Sequence, residues 1–223
     1  KHETNAAMIT FSWSSTDAET YTWQLSVDSG FSTLSDSVVD TSASSVRRTI
    51  PGQDTFYWRV IASDTPGNID TAAARGIMLD TSVNTVSLSL PANAHETTNA
   101  SMHVSWSALV DSVGIDSYAV EVSRSTGFGD NVYSDTLNGG IGNDTITGLY
   151  NDSYYWRVRA IDELGNIGPY SETRGFVVDT DVDQVSLSHP PAGHQTTNQS
   201  INVVWSTVAD SVGIDSYVLA VSI

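Results

Sequence analysis

The sequence repeats itself, and that repeat limits the fold more than any motif in it. His2-Glu3-Thr4-Asn5 opens a run that reaches Trp13. His95-Glu96-Thr97-Thr98-Asn99 opens one that reaches Trp106, and His194-Gln195-Thr196-Thr197-Asn198 one that reaches Trp205. The step from His to Trp is 11 residues each time. The octapeptide DSVGIDSY stands at 111–118 and again at 210–217; FYWRV at 56–60 answers YYWRV at 154–158. The histidines recur after 93 and then 99 residues, the first interval being shortened by the loop after Trp13. Such a chain folds as tandem copies of one small unit, each with its own core. The repeat frame divides it into 1–81, which lacks its opening strand, 82–180, which is complete, and 181–223, the first strands of a third unit. The expectation is a window on a longer array.

Within the complete unit the apolar residues alternate with polar ones. Val86, Leu88 and Leu90 do so, as do Met102, Val104 and Trp106, then Tyr118, Val120 and Val122, then Tyr154, Trp156, Val158 and Ala160. With weaker runs near 131–136 and 146–149, and Phe176 and Val178 at the end, seven strands are predicted. Period-two alternation without a sustained helical period predicts an all-β chain of antiparallel sandwiches, each sheet with one wet face. Trp106 and Trp156 share register with the inward residues and are assigned to the core, as is Trp23 of the first unit.

The stretches SWS at 105–107, GLYNDSYYWRVRAIDELGN at 148–166 and FVVDT at 176–180 resemble fibronectin type III and related bacterial immunoglobulin-like repeats. They recur in the first unit as FSWS, FYWRVIASDTPGN and MLDT. The resemblance implies a seven-stranded sandwich. It implies that Tyr154 bonds backbone upstream through its hydroxyl, a bond that Phe56 cannot make.

Residues 139–147 read GGIGNDTIT and fit the calcium-binding nonapeptide of β-roll proteins. A roll needs several such turns in tandem, and the first unit has no glycines there. Gly139, Gly140 and Gly142 are therefore read as turn residues with permissive backbones, followed by a short strand.

Twenty Asp and six Glu against nine cationic residues give a net charge of −17. That surface repels nucleic acid and anionic lipid. Cysteine is absent, which removes disulfides and thiolate metal sites. No apolar run approaches 18 residues, so no membrane insertion is expected in this segment. Hard oxygen donors do gather in sequence at the unit joints, and they point to Ca2+ as the one cofactor to expect. The candidates are Asp179, Asp181 and Asp183 on the linker, Asp210 and Asp215 in the following loop, and Asp152 of the preceding unit. The same places in the complete unit are 80–84, 111–116 and 162–166; the linker part, Asp80, Ser82 and Asn84, carries fewer charges and is expected to bind more weakly.

Catalytic signatures are missing. His2-Glu3 and His95-Glu96 begin like a zincin motif, but Asn99 stands where the second histidine belongs; the repeated histidines are read as one loop position. No nucleophile elbow, phosphate loop or dinucleotide fingerprint occurs. The expected function is non-catalytic: a stalk or spacer of a large extracellular or cell-surface bacterial protein of adhesin type. The alternatives are a subunit of an extracellular filament or sheath, and a carbohydrate-binding accessory module with Tyr150, Tyr155 and Tyr170 as its aromatic candidates. Expected partners are neighbouring repeats, other copies of the chain, and a surface receptor or glycan.

Overall fold

The computed structural model describes residues 2–15, 17–210 and 212–222; Lys1, Thr16, Ser211 and Ile223, among them both ends of the repeat reading, lie outside the described residues. Every regular element is a strand. The first repeat holds β1 (His2–Thr4), β2 (Met8–Ser12), β3 (Thr20–Ser26), β4 (Leu34–Thr41), β5 (Ser45–Thr49), β6 (Asp54–Ser63), β7 (Ile69–Thr71) and β8 (Arg75–Leu79). The second holds β9 (Leu88–Leu90), β10 (His95–Thr97), β11 (Ser101–Trp106), β12 (Ile115–Ser123), β13 (Asn131–Asn138), β14 (Asn143–Thr147), β15 (Asp152–Asp162) and β16 (Arg174–Val178). The third shows β17 (Leu187–His189) and β18 (Val204–Trp205).

The second repeat is a two-sheet sandwich. One sheet runs β10-β16-β15-β12-β13, and the other β14-β11-β9. Alternation explains the layering. Along β15, Tyr154, Trp156, Val158 and Ala160 are buried while Tyr155, Arg157 and Arg159 are half-covered. Along β11, Met102, Val104 and Trp106 face them from the opposite sheet. Trp156 is fully buried and Trp106 is 4 % exposed, so both indoles lie in the core, as does Trp23. The Tyr154 hydroxyl accepts from the Tyr150 amide and donates to the Tyr150 carbonyl, both at 3.1 Å.

The first repeat has the same large sheet, β1-β8-β6-β3-β4 with β7 beside β6, and among the described residues its small sheet pairs β2 with β5. The third repeats one contact set of the second. Leu187 pairs with Trp205 as Leu88 pairs with Trp106. Tyr217 lies 5.7 Å from Trp205 as Tyr118 lies 5.6 Å from Trp106.

Two sequence expectations change. The histidine positions are not loops in the first two repeats: His2 and His95 open short strands that pair in parallel with the last strand of their own repeat. Three residues lacking apolar alternation carry no strand signal, so the pairing is tertiary in origin. The motif GGIGNDTIT is a turn leading into β14, which pairs with β11. None of its three glycines has a positive φ, however. Gly139 is required by space: a Cβ there would lie 1.9 Å from the Ile115 carbonyl oxygen. Asp144, which a roll would turn to calcium, accepts from the Tyr133 hydroxyl at 2.6 Å and ties β14 to β13 of the other sheet.

Candidate metal centre at the repeat joint

Three carboxylates converge where the first repeat hands over to the second. Asp80 follows β8, Asp111 lies in the loop after β11, and Asp162 ends β15. One oxygen from each lies within 4.8 Å of the others. Asp80 and Asp162 are almost wholly buried, at 0 % and 1 % exposed.

Each is aimed by local chemistry. Asp162 begins the turn Asp-Glu-Leu-Gly-Asn. Its Oδ1 accepts from the amides of Leu164 (2.9 Å) and Asn166 (2.8 Å), and its Oδ2 from the Asn166 side chain at 2.6 Å. That side chain also donates to the Asp80 carbonyl at 2.9 Å, so the turn holds the linker. Asp111 Oδ1 accepts from the Val113 amide, and Asp80 Oδ2 from the Ser112 hydroxyl. Short acidic side chains that bond backbone two residues on are the ordinary means of shaping such turns. The first repeat makes the same turn with Asp64, whose carboxyl is held below the usual carboxylate range chiefly by the Asn68 side-chain amide.

The preceding repeat grips the linker too. Gln53 Oε1 accepts from the Ser82 hydroxyl at 2.9 Å. At the next joint Asn151 occupies the matching place. Its Oδ1 accepts from the Thr180 amide (2.7 Å), and its Nδ2 donates to Asp181 (2.5 Å). Asn5 of the first repeat also reaches across, donating to the Leu164 carbonyl at 2.8 Å.

Among the described residues, no cationic side chain makes an ion pair with Asp80, Asp111 or Asp162. Two ionised carboxylates 4.8 Å apart repel by about 3 kcal/mol at an effective dielectric near 20. The donor set is all hard oxygen, which suits Ca2+ or Mg2+ over softer metals. Oxygens on one Ca2+ lie about 2.3–2.6 Å from it, so their mutual separation stays below about 5 Å, and this cluster satisfies that.

The residues expected from sequence lie at the second joint. Asp152, Asp179, Asp181, Asp183 and Asp210 line one open hollow of about 380 Å3. Asp215 is not part of that lining and is exposed. Asp152 is already paired with the Arg124 guanidinium at 3.1 Å. Asp179 is buried; Asp181 and Asp183 are exposed. By the repeat frame Asp179 and Asp210 match Asp80 and Asp111. The third carboxylate at the first joint is the one that β15 supplies. The sequence expectation compared the two joints by linker charge alone. Ser82 and Asn84 face outward, and the first joint draws one carboxylate from the linker and two from the following repeat.

The aromatic candidates do not form a platform. Tyr150 is 73 % exposed, while Tyr170 is covered by the Arg157 guanidinium 3.7 Å from its ring centre and donates its hydroxyl to Glu121 at 2.7 Å.

Strand order, the buried indoles and the Tyr154 corner together settle the architecture. The second repeat is an antiparallel two-sheet β-sandwich, and the first repeats its large sheet. The chain is similar to the crystal structure of chicken CNTN1 FN1-FN3 domains, at 14 % identity and a TM-score of 0.43, over 79 % of this chain and 64 % of that one. It is also similar to the fibronectin(III)-like modules of Clostridium thermocellum CbhA, at 16 % identity and a TM-score of 0.37, over 79 % of this chain and 87 % of that one. The chain thus spans about two thirds of the contactin structure. No family model matches, and neither does any curated protein.

Proposed function

We propose that this chain is a non-catalytic structural repeat region, a stalk or spacer of a large extracellular or cell-surface protein of adhesin type, whose joints a bound Ca2+ stiffens. The observation that carries the reading is the gathering of Asp80 from the linker with Asp111 and Asp162 at one pole of the second repeat, Asn166 tying Asp162 to the Asp80 backbone. A cation there would fasten the linker to the pole of the second repeat and remove the repulsion among the three carboxylates. Because Gln53 and Asn5 grip the same region from the first repeat, a fixed linker fixes the angle between the two sandwiches.

The test is small-angle scattering and calorimetry of the chain in Ca2+ and in EGTA, with Asp162→Asn beside the wild type. Saturating Ca2+ at about 100 times its Kd would add about 2.7 kcal/mol to the repeat that binds it. The expected result is a narrower distribution of lengths and a higher melting temperature in Ca2+, both lost in Asp162→Asn. Equal length and melting in the two buffers would overturn the calcium part.

A further inference from the structure

The second repeat carries a hollow on the outer face of its large sheet. Asp162 ends β15, and the hollow lies at the other end of that strand, beside Ser153 and Tyr155. It measures about 490 Å3, within the range of about 300–1,000 Å3 for sites that hold small molecules. Its aromatic side is Tyr155, which pairs with Gly175 of β16. A Cβ at Gly175 would lie 3.4 Å from Tyr155 Cε1, so the glycine gives the ring room over the neighbouring strand.

One wall is held in an uncommon conformation. Ala94 has φ 60°, where the matching residue of the third repeat is Gly193 at φ 75°. A non-glycine residue stays in this region only where its surroundings fix it, as they often do at ligand sites. Here the Ala94 amide donates to the Gly175 carbonyl at 2.7 Å, and Asn93 Oδ1 accepts from the Gly175 amide at 2.8 Å. Asn93 is thereby fixed at the rim with its Nδ2 turned to no protein acceptor among the described residues. The hydroxyls of Thr126, Ser153, Tyr155 and Thr173 around the same hollow also make no hydrogen bond to protein among the described residues.

In a chain of net charge −17 this place is neutral, for no charged side chain lines it. The acids nearest in sequence are engaged: Asp152 with Arg124 at 3.1 Å and Glu172 with Arg174 at 2.8 Å. An anionic ligand would find no cation here and would meet the repulsion of the whole molecule. A wholly apolar ligand would strip water from five polar groups and return no hydrogen bond. The fitting ligand is apolar on one face and hydroxylated around its edge. We propose that the hollow is a subsite for a neutral pyranose, with the C–H face of the sugar on the Tyr155 ring and its hydroxyls bonded by Asn93, Thr126, Ser153 and Thr173. The tyrosine–glycine pair recurs as Tyr57 and Gly76 in the first repeat, but Ala74 precedes Arg75 where Thr173 precedes Arg174. The pair alone thus belongs to the fold, and the hydrogen-bonding wall is particular to the second repeat.

Saturation-transfer NMR of the 223-residue chain tests this with methyl β-glucoside, methyl β-galactoside and methyl α-mannoside, and with glucuronic acid as the anionic control. At least one neutral glycoside is expected to take up magnetisation, with a Kd of about 1 mM, the range for a ligand of this size. Glucuronic acid is expected to take up none. Tyr155→Ala and Thr173→Asp should each weaken binding by about tenfold or more, the first by removing the ring and the second by charging the wall. Thr173 is exposed, so Thr173→Asp should melt with the wild type, which separates loss of the site from loss of the fold. Asp162→Asn should bind the sugar as the wild type does, so this result stands apart from the calcium reading. No transfer to any of the three glycosides, equal transfer to glucuronic acid, or binding that survives both Tyr155→Ala and Thr173→Asp would overturn the proposal.

Discussion

The Tyr154 hydroxyl bridges two groups of Tyr150, while the first repeat has Phe56 in the same buried place. Replacing Tyr154 with Phe should cost about 1 kcal/mol, the net worth of an intramolecular hydrogen bond, and leave the fold intact. A urea midpoint lowered with an unchanged slope is the expected readout. A second residue-scale effect belongs to Asp28. Its carboxylate accepts from the Ser32 hydroxyl (2.9 Å), the Ser32 amide (3.3 Å), the Gly30 amide and the Ser26 hydroxyl, and the Ser32 bonds lead in lowering its pKa to about 2. The folded value lies below the unfolded one, so its contribution is complete above about pH 4 and fades as pH falls through about 2. The stability gap between wild type and Asp28→Asn should therefore be wide at pH 5 and narrow at pH 2, as measured by urea titrations at the two pH values.

At the scale of elements, register decides cost. Trp156→Ala removes a fully buried indole and should destabilise its repeat by about 3–5 kcal/mol. Trp58→Ala, at the same place in β6, should cost clearly less, because part of that ring already meets water. Gly139→Ala should cost about 2–3 kcal/mol, since the new methyl meets backbone that cannot yield easily. Thermal melts of the three variants check the order. The strongly alternating strands were all legible in sequence, because period-two burial writes itself into residue choice. The parallel strands β1 and β10 were not: their residues are held by backbone bonds to β8 and β16, and such bonds leave no mark on side-chain type. Gly139 was legible as a turn glycine, but not as one required by contact, since the atom it makes room for is 24 residues away in sequence, on Ile115.

For the whole molecule, two separate cores imply separate unfolding. Among the described residues, seventeen buried residues form the core of the second repeat and nine that of the first. Calorimetry of this chain should show two transitions, the smaller core of the first repeat melting lower; a single shared transition would mean that the joint couples the cores. How the joint is built was half legible. The repeat frame places the right loops at one pole, but which carboxylates meet depends on the linker's facing: Asp80 turns inward, while Ser82 and Asn84 turn out. Charge counting along a linker cannot see that. The parallel pairing of β10 with the last strand of its repeat has one more consequence. When the second repeat is drawn taut, the pull from its N-terminal side reaches β9 first; once β9 has come away from β11, β10 and β16 are hauled in opposite directions, and the rungs at His95, Glu96 and Thr97 take the load in shear, all at once. The parallel seam thus stands as a second line of resistance behind β9.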